Sequence, residues 1–259
     1  MSLRGHKDTT CNPAMAPTRS SKWAQTIDSS YADWICLLLC FNTGLCDSCA
    51  FNSWSCFLAM QTGNTIVLGL GASQQPIGSP HAWSRSLVSI FSFIIGGIFF
   101  ARLTHFLGPR RRGTLVISFA IQSIMIIVTA ALIQTGVIQK QIGNAFTFEN
   151  PNLALIPIAL MAFQSAGSIN STRVLGFNEI PGVVLTSVYY DLASDALFFQ
   201  DLAANPKRNR RVAGALMLLT GAIVGGWLSR SAGGMAVSLW LAAFLKFTAG
   251  VGWFFWSPA

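Results

Sequence analysis

The sequence predicts an all-α polytopic membrane protein, with about six transmembrane helices, two short broken or re-entrant helices, and two inverted repeats. Three observations predict it. Of 259 residues, 52% are hydrophobic and only 10% are charged, and mean hydropathy is +0.52; a soluble domain carries about 25% charged residues. The chain also divides into eight apolar segments separated by short polar runs. Lastly, polar landmarks in the first half recur at a near-constant offset in the second. The composition excludes a disordered protein, a secreted disulfide scaffold and an ordinary cytosolic enzyme. At roughly 20 residues per span, the chain has no length left for a separate soluble domain.

Residues 1–31 form a polar tail carrying Arg4, Lys7, Asp8, Arg19, Lys22 and Asp28. It has no apolar h-region, so no cleaved signal peptide is expected, and the first apolar helix is expected to act as a signal anchor. The eight segments are 32–50, 54–72, 86–107, 114–136, 152–172, 180–199, 212–230 and 234–256. Two of them are interrupted. Segment 54–72 holds Gln61-Thr62-Gly63-Asn64 at its middle, and segment 180–199 holds Pro181, Thr186, Ser187, Asp191 and Asp195. A lipid-facing helix does not carry these residues, because broken polar backbone at membrane depth must be covered by protein or by a water cavity.

The halves repeat. Gly44-x-x-Asp47 matches Gly167-x-x-Asn170 at an offset of 123, and Thr62-Gly63 matches Thr186-Ser187 at 124. Gly96 matches Gly221 at 125, and Gln122 matches Lys246 at 124. Such a period means duplication on the scale of a domain. Repeat A is 32–136, the linker 137–151 and repeat B 152–256. Loop charge orients the copies. If all eight segments span, Arg110, Arg111 and Arg112 fall outside, against the positive-inside rule. If segments two and six enter and leave on one side, the basic residues split 13 inside to 3 outside, with Lys246 in the membrane. Three spans per repeat then make the second copy inverted. The expected setting is an integral membrane protein with a cytoplasmic N-terminus, in the plasma membrane rather than an organelle.

A carboxylate within an apolar helix is expensive, which makes Asp47 the sharpest candidate; its alternative is a packing pair with Lys246 or Arg173. Gln61, Thr62 and Asn64 form one polar turn, where Gly63 lets the backbone bend and a partner approach. Asn170 and Thr186 hold the matching places in repeat B, and Gln164 and Ser168 lie one turn apart. Asp191 and Asp195 are four apart and share a helix face, where they could relay protons or bind a cation, or lie at the cytoplasmic end beside Lys207–Arg211. Lys246 points inward with Gln122, and an aspartate is its expected partner. Arg173 and Glu179 are expected as a solvated loop pair. Ser92-x-x-x-Gly96-Gly97 and Gly221-x-x-x-Gly225-Gly226 are small-residue faces for close helix contact. The six cysteines all precede residue 57. Cys46-Asp-Ser-Cys49 has redox or zinc spacing but lacks a second pair, so packing is the expected role. The Asn170-Ser171-Thr172 sequon falls at the inner face and is expected to stay unused.

Gly44-x-x-Asp47, followed by Gln61-Thr62-Gly63-Asn64 and Val67-Leu68-Gly69, resembles the YoaK-like family of membrane proteins (domain of unknown function 1275). That family's pattern is a Gly/Asp helix followed by a Thr-Gly-Asn motif. Asn178-Glu179-Ile180-Pro181 through Val184-Leu185-Thr186-Ser187-Val188-Tyr189 looks like its fungal branch. The resemblance covers roughly 32–256 and implies about six membrane helices. It implies membrane residence and no particular substrate. Ser187 stands where the second half of the bacterial form often keeps a glycine.

Inverted repeats with a discontinuous helix at matching places are a transporter signature. The functional expectation is a small secondary transporter for a small polar solute or ion, with its site at the repeat interface. The substrate-binding candidates are Asp47, Gln61, Thr62, Gly63, Asn64, Gln164, Asn170, Thr186, Asp191 and Lys246. The alternative is a non-transporting membrane scaffold or sensor. No nucleophile–base constellation, HExxH, GxSxG or P-loop is present, so no enzyme is expected, and no cofactor or metal. The expected partners are the lipid bilayer, a small-molecule or ion substrate and a further copy in a homo-oligomer. Nucleic acid is not among them, since no soluble basic face exists.

Overall fold

A computed structural model describes residues 21–75, 81–138, 151–180 and 184–259. Among them run eight α-helices: α1 (Asp33–Trp54), α2 (Gln61–Gly71), α3 (Ala82–Leu107), α4 (Arg112–Gln134), α5 (Leu155–Leu175), α6 (Leu185–Ala193), α7 (Pro206–Ser229) and α8 (Met235–Phe255). Six are long and apolar enough to cross a bilayer; α2 and α6 are the short ones. The expected six-plus-two division therefore holds, with shifted ends. Segment 54–72 is helical only from Gln61, after a non-helical stretch over 55–60. α7 starts six residues before its apolar run, at Pro206. There the Asn205 side chain accepts the Arg208 N–H at 3.0 Å, and proline occupies a position whose own N–H would have no partner. Most of the 137–151 linker, the start of the tail, and Pro181 lie outside the described residues.

The helix ends define two faces. On the basic face, Arg210 bonds Glu179 at 2.7 Å and lies 3.8 Å from Asp33, joining the start of α7 to the end of α5 and the start of α1. Arg112 donates to the Trp256 carbonyl at 2.7 Å, and Arg110 to the Val174 carbonyl at 2.9 Å. At the opposite face Trp240 donates to Gln134 at 2.6 Å. So α1, α4 and α7 leave the basic face, and α3, α5 and α8 return to it. Helices α1 and α7 pack in parallel, as do α3 and α5, while α4 and α8 pack antiparallel.

Glycine sets the closest approaches. A Cβ on Gly44 would overlap the Leu218 carbonyl of α7, and one on Gly221 would overlap the Phe41 carbonyl of α1. Across the other parallel pair, a Cβ on Gly96 would overlap the Phe163 carbonyl. Small residues thus let backbones meet, as dispersion-driven packing in lipid requires. The outward stripes of α3 and α7 also correspond. Phe91, Ile94 and Ile98 are 58, 51 and 59% exposed; Leu216, Leu219 and Ile223, each 125 residues on, are 57, 54 and 52% exposed.

Two dry cores fill the bundle. One gathers Leu45, Ile126, Met161 and Leu239 toward the opposite face. The other gathers Cys36, Leu115, Phe119 and Trp253 toward the basic face. Between them lies a buried polar layer of Asn42, Gln122, Gln164, Ser168 and Lys246, each near the middle of its helix, with Ser118 one turn before Gln122.

Candidate functional site

Two polar centres lie within the helix bundle, one at the break between α1 and α2 and one where α8 meets side chains of α4 and α5. The first is the α1–α2 break. α1 closes at Ser55, whose left-handed φ of 52° turns the chain, and whose N–H returns to the Phe51 carbonyl. The next residues fold back along α1 instead of leaving the bundle. Their backbone N–H groups have no helical partner, a cost of several kcal/mol each in hydrocarbon. Asp47 removes that cost. Its Oδ1 accepts the N–H groups of Leu58 at 2.8 Å and Ala59 at 2.9 Å, and its Oδ2 accepts that of Met60 at 3.2 Å. Asn64, fully buried, closes the other side. It accepts the Phe57 N–H at 3.0 Å and donates to the Phe57 carbonyl at 2.8 Å. Gln61 and Ser89 complete this network: Asn64 donates to Gln61 Oε1 at 2.9 Å and to Ser89 Oγ at 3.0 Å. A Cβ on Gly63 would lie 2.7 Å from the Phe57 ring and 2.8 Å from the Met60 methyl, so these side chains would have to shift to admit one. Thr62 faces outward.

The second centre is Lys246. Its ammonium is 2.7 Å from Gln122 Oε1 and 2.7 Å from Ser168 Oγ, and it also donates to Gln164 Oε1. Gln122 in turn donates to Ser118 at 3.1 Å, and Gln164 to Ser165 at 3.2 Å, which turns both amide oxygens toward the lysine. The expected aspartate partner is replaced by three neutral oxygens. Asp47 is spent on backbone, and its neighbour Cys46 turns its thiol to Asn42 Oδ1. Asn42 joins the layer by donating to the Ala242 carbonyl at 2.8 Å.

In the second half the short helix α6 again follows a break after a long helix, but among the described residues no side chain caps that break as Asp47 caps the first. Asn170, at the place of Asp47, donates to Thr104 of α3 at 2.8 Å. Thr186 lies exposed on α6. Asp191 pairs with Arg211 at 3.2 Å, while Asp195 accepts the Leu197 N–H at 2.9 Å and the Asn205 amide at 2.8 Å. The two carboxylates therefore serve separate partners near the basic face. Buried Arg208 holds the α6–α7 turn, donating to the carbonyls of Leu197, Phe198, Gln200 and Asp201. The Leu197 N–H and the Asn205 amide hold the Asp195 carboxyl below its usual range. A depressed folded value stabilises above the unfolded pKa of about 3.9 and is lost as pH falls below it. Carboxyl titration by NMR is expected to show this depression, and Asn205→Ala is expected to reduce it.

Cys46 and Cys49 are buried singly against Asn42 and the Gly225 carbonyl. Among the described residues, no three His, Cys, Asp or Glu side chains gather as a metal site. Ser89 and Asn42 are site residues that sequence reasoning misses. A lone small polar residue in an apolar helix gives no signal that separates a network member from packing.

Comparison with curated proteins and with solved structures gives no match. A family-level comparison matches residues 35–252 to the description "Protein of unknown function (DUF1275)". The matched span runs from the first turn of α1 to the last turn of α8 and takes in both polar centres, so the chain belongs to the DUF1275 family.

Proposed function

We propose that this membrane protein is a small secondary transporter for a small polar solute or ion, built from two inverted repeats. Its site is the polar layer at the repeat interface, with the Asp47–Asn64 break beside it. The observation that carries this reading is the contact between Gln122 and Lys246 at 2.7 Å. These are equivalent positions in the two halves, and they meet at mid-depth between helices that run in opposite directions. The same relation pairs α1 with α5 and α3 with α7, each antiparallel to its counterpart, and it is supported by the matched outward stripes. A site lying between two such halves can be reached from either side when one half rocks against the other. The basic face, by the positive-inside rule, belongs to the cytoplasm, and the plasma membrane is the proposed location. The reading is of a carrier and not an enzyme. Asn178–Pro181 and the α6 sequence also support a place in the fungal branch of the family.

A thermal-shift screen of the purified protein against small metabolites and ions tests this. A ligand at a hundredfold over its Kd is expected to add about 2.7 kcal/mol of stability. Gln164→Leu is expected to abolish that shift while remaining folded. The second reading, a scaffold or sensor, is favoured by one observation: both carboxylate oxygens of Asp47 are taken up in capping the backbone N–H groups of Leu58, Ala59 and Met60, a structural role. No shift across a broad library, with a stable stoichiometric partner retained in mild detergent, would select it.

A further inference from the structure

A buried ammonium in a membrane bundle is normally neutralised by a carboxylate. Lys246, 2% exposed, instead sits in a cage of two amide oxygens and one hydroxyl. A carboxylate in contact would hold the proton more tightly than these neutral oxygens. The cage also satisfies both forms of the side chain. As an ammonium, Lys246 has three N–H donors, and Gln122, Gln164 and Ser168 supply three acceptors. As an amine, it keeps two N–H donors for the two glutamines. Its lone pair then faces the one member of the cage that can reverse direction, since the Ser168 hydroxyl is donor as well as acceptor. The hydroxyl, which otherwise donates to Gln122 Oε1 at 3.3 Å, gives up that bond when it turns to the amine, and Gln122 Oε1 still accepts from Lys246 in both states. The groups facing it are accounted for on every packed helix. α4 presents Gln122 and Ser118, α5 presents Gln164 and Ser168, and α1 presents the Cys46 thiol. The charged residues of α7 lie at its two ends.

We propose that Lys246 is the binding site of the coupling ion, and that this ion is the proton. The amine takes a proton delivered from water on one side of the membrane, becoming the ammonium, and returns it to water on the other; nothing is oxidised or reduced. The inference deepens the transport reading and rests on it for the consequence, not for proton binding itself. Bound proton strengthens the bond across the two halves, because Gln122 belongs to the first and Lys246 to the second.

The test is electrical recording from the full chain in liposomes on a solid-supported membrane, with pH steps and no added solute. The wild type is expected to give a transient charge displacement. Lys246→Met is expected to reduce it to the level of protein-free liposomes. Gln122→Glu is expected to do the same in a folded protein, because a carboxylate placed at the 2.7 Å contact keeps the lysine protonated. Displacement that persists in either variant, or none in the wild type, overturns the proposal. Solute gradients added afterwards separate the two readings. Lys246-dependent displacement with no solute-driven current upholds the proton site and removes transport. Solute-driven current indifferent to pH, with no such displacement, overturns the proton site and leaves transport standing.

Discussion

Asp47→Leu is expected to unfold the α1–α2 turn and to cost the protein about 3–9 kcal/mol, the sum of three backbone N–H groups left without acceptors at roughly 1–3 kcal/mol each. Leu58, Ala59 and Met60 carry those groups, and Asp47 accepts all three within 3.2 Å. Asp47→Asn keeps one oxygen, enough for Leu58 and Ala59, and turns an amide toward Met60. Its expected loss is about 1–3 kcal/mol, one unmet donor. Equilibrium unfolding in mild detergent measures the totals, and amide hydrogen exchange at residues 58–60 locates them. A leucine variant within about 1 kcal/mol of wild type, inside the scatter of one ordinary hydrogen bond, would mean that Asp47 is not the cap of this turn.

Gly221→Val is expected to separate α1 from α7. A Cβ at Gly221 meets the Phe41 carbonyl and the Leu45 backbone nitrogen, neither of which can rotate away as a side chain would. Overpacking against movable side chains costs about 1–3 kcal/mol; against backbone the cost is expected to reach or exceed the top of that range. Loss of monodisperse protein on size exclusion, or a large fall in Tm, reports it. Gly226→Ala is the control, since nothing lies within 4 Å of a Cβ there. It is expected to leave Tm unchanged or slightly raised, alanine being the better helix former. Equal effects of the two substitutions would remove the close crossing as an explanation of the glycine pattern.

The six spans were legible because bilayer thickness and apolar composition dictate them almost without regard to packing. The start of α7 was not, since Pro206–Arg211 is polar and only the Asn205-Pro206 cap announces a helix there. Asp47 was legible as a costly residue, but not its partners. Sequence shows charges that could pair, such as Lys246 or Arg173, and hides backbone N–H groups left over where a chain turns inside the membrane. The inward direction of Lys246 and its relation to Gln122 followed from the repeat offset. Its other partners, Gln164 and Ser168, were visible as two polar residues one turn apart on α5, with no sign of which helix they faced. The offset gave no sign that Asn170 reaches across to Thr104 of α3. An amide finds a nearby hydroxyl as readily as a loop, and the offset does not choose between them.

The polar layer between the two dry cores also has a mechanical meaning. It is a fulcrum. Helix ends lie about 15 Å from the centre of a 30 Å hydrocarbon slab, so a tilt of about 10° swings each end by roughly 3 Å in opposite senses. Atoms at the pivot barely travel, and the short contacts of Lys246 can outlast a motion that opens one end of the bundle and shuts the other. Levering about this point moves the leucines, phenylalanines and tryptophans of the two cores, whose contacts are non-directional and slide cheaply. Directional bonds stay where displacement is least.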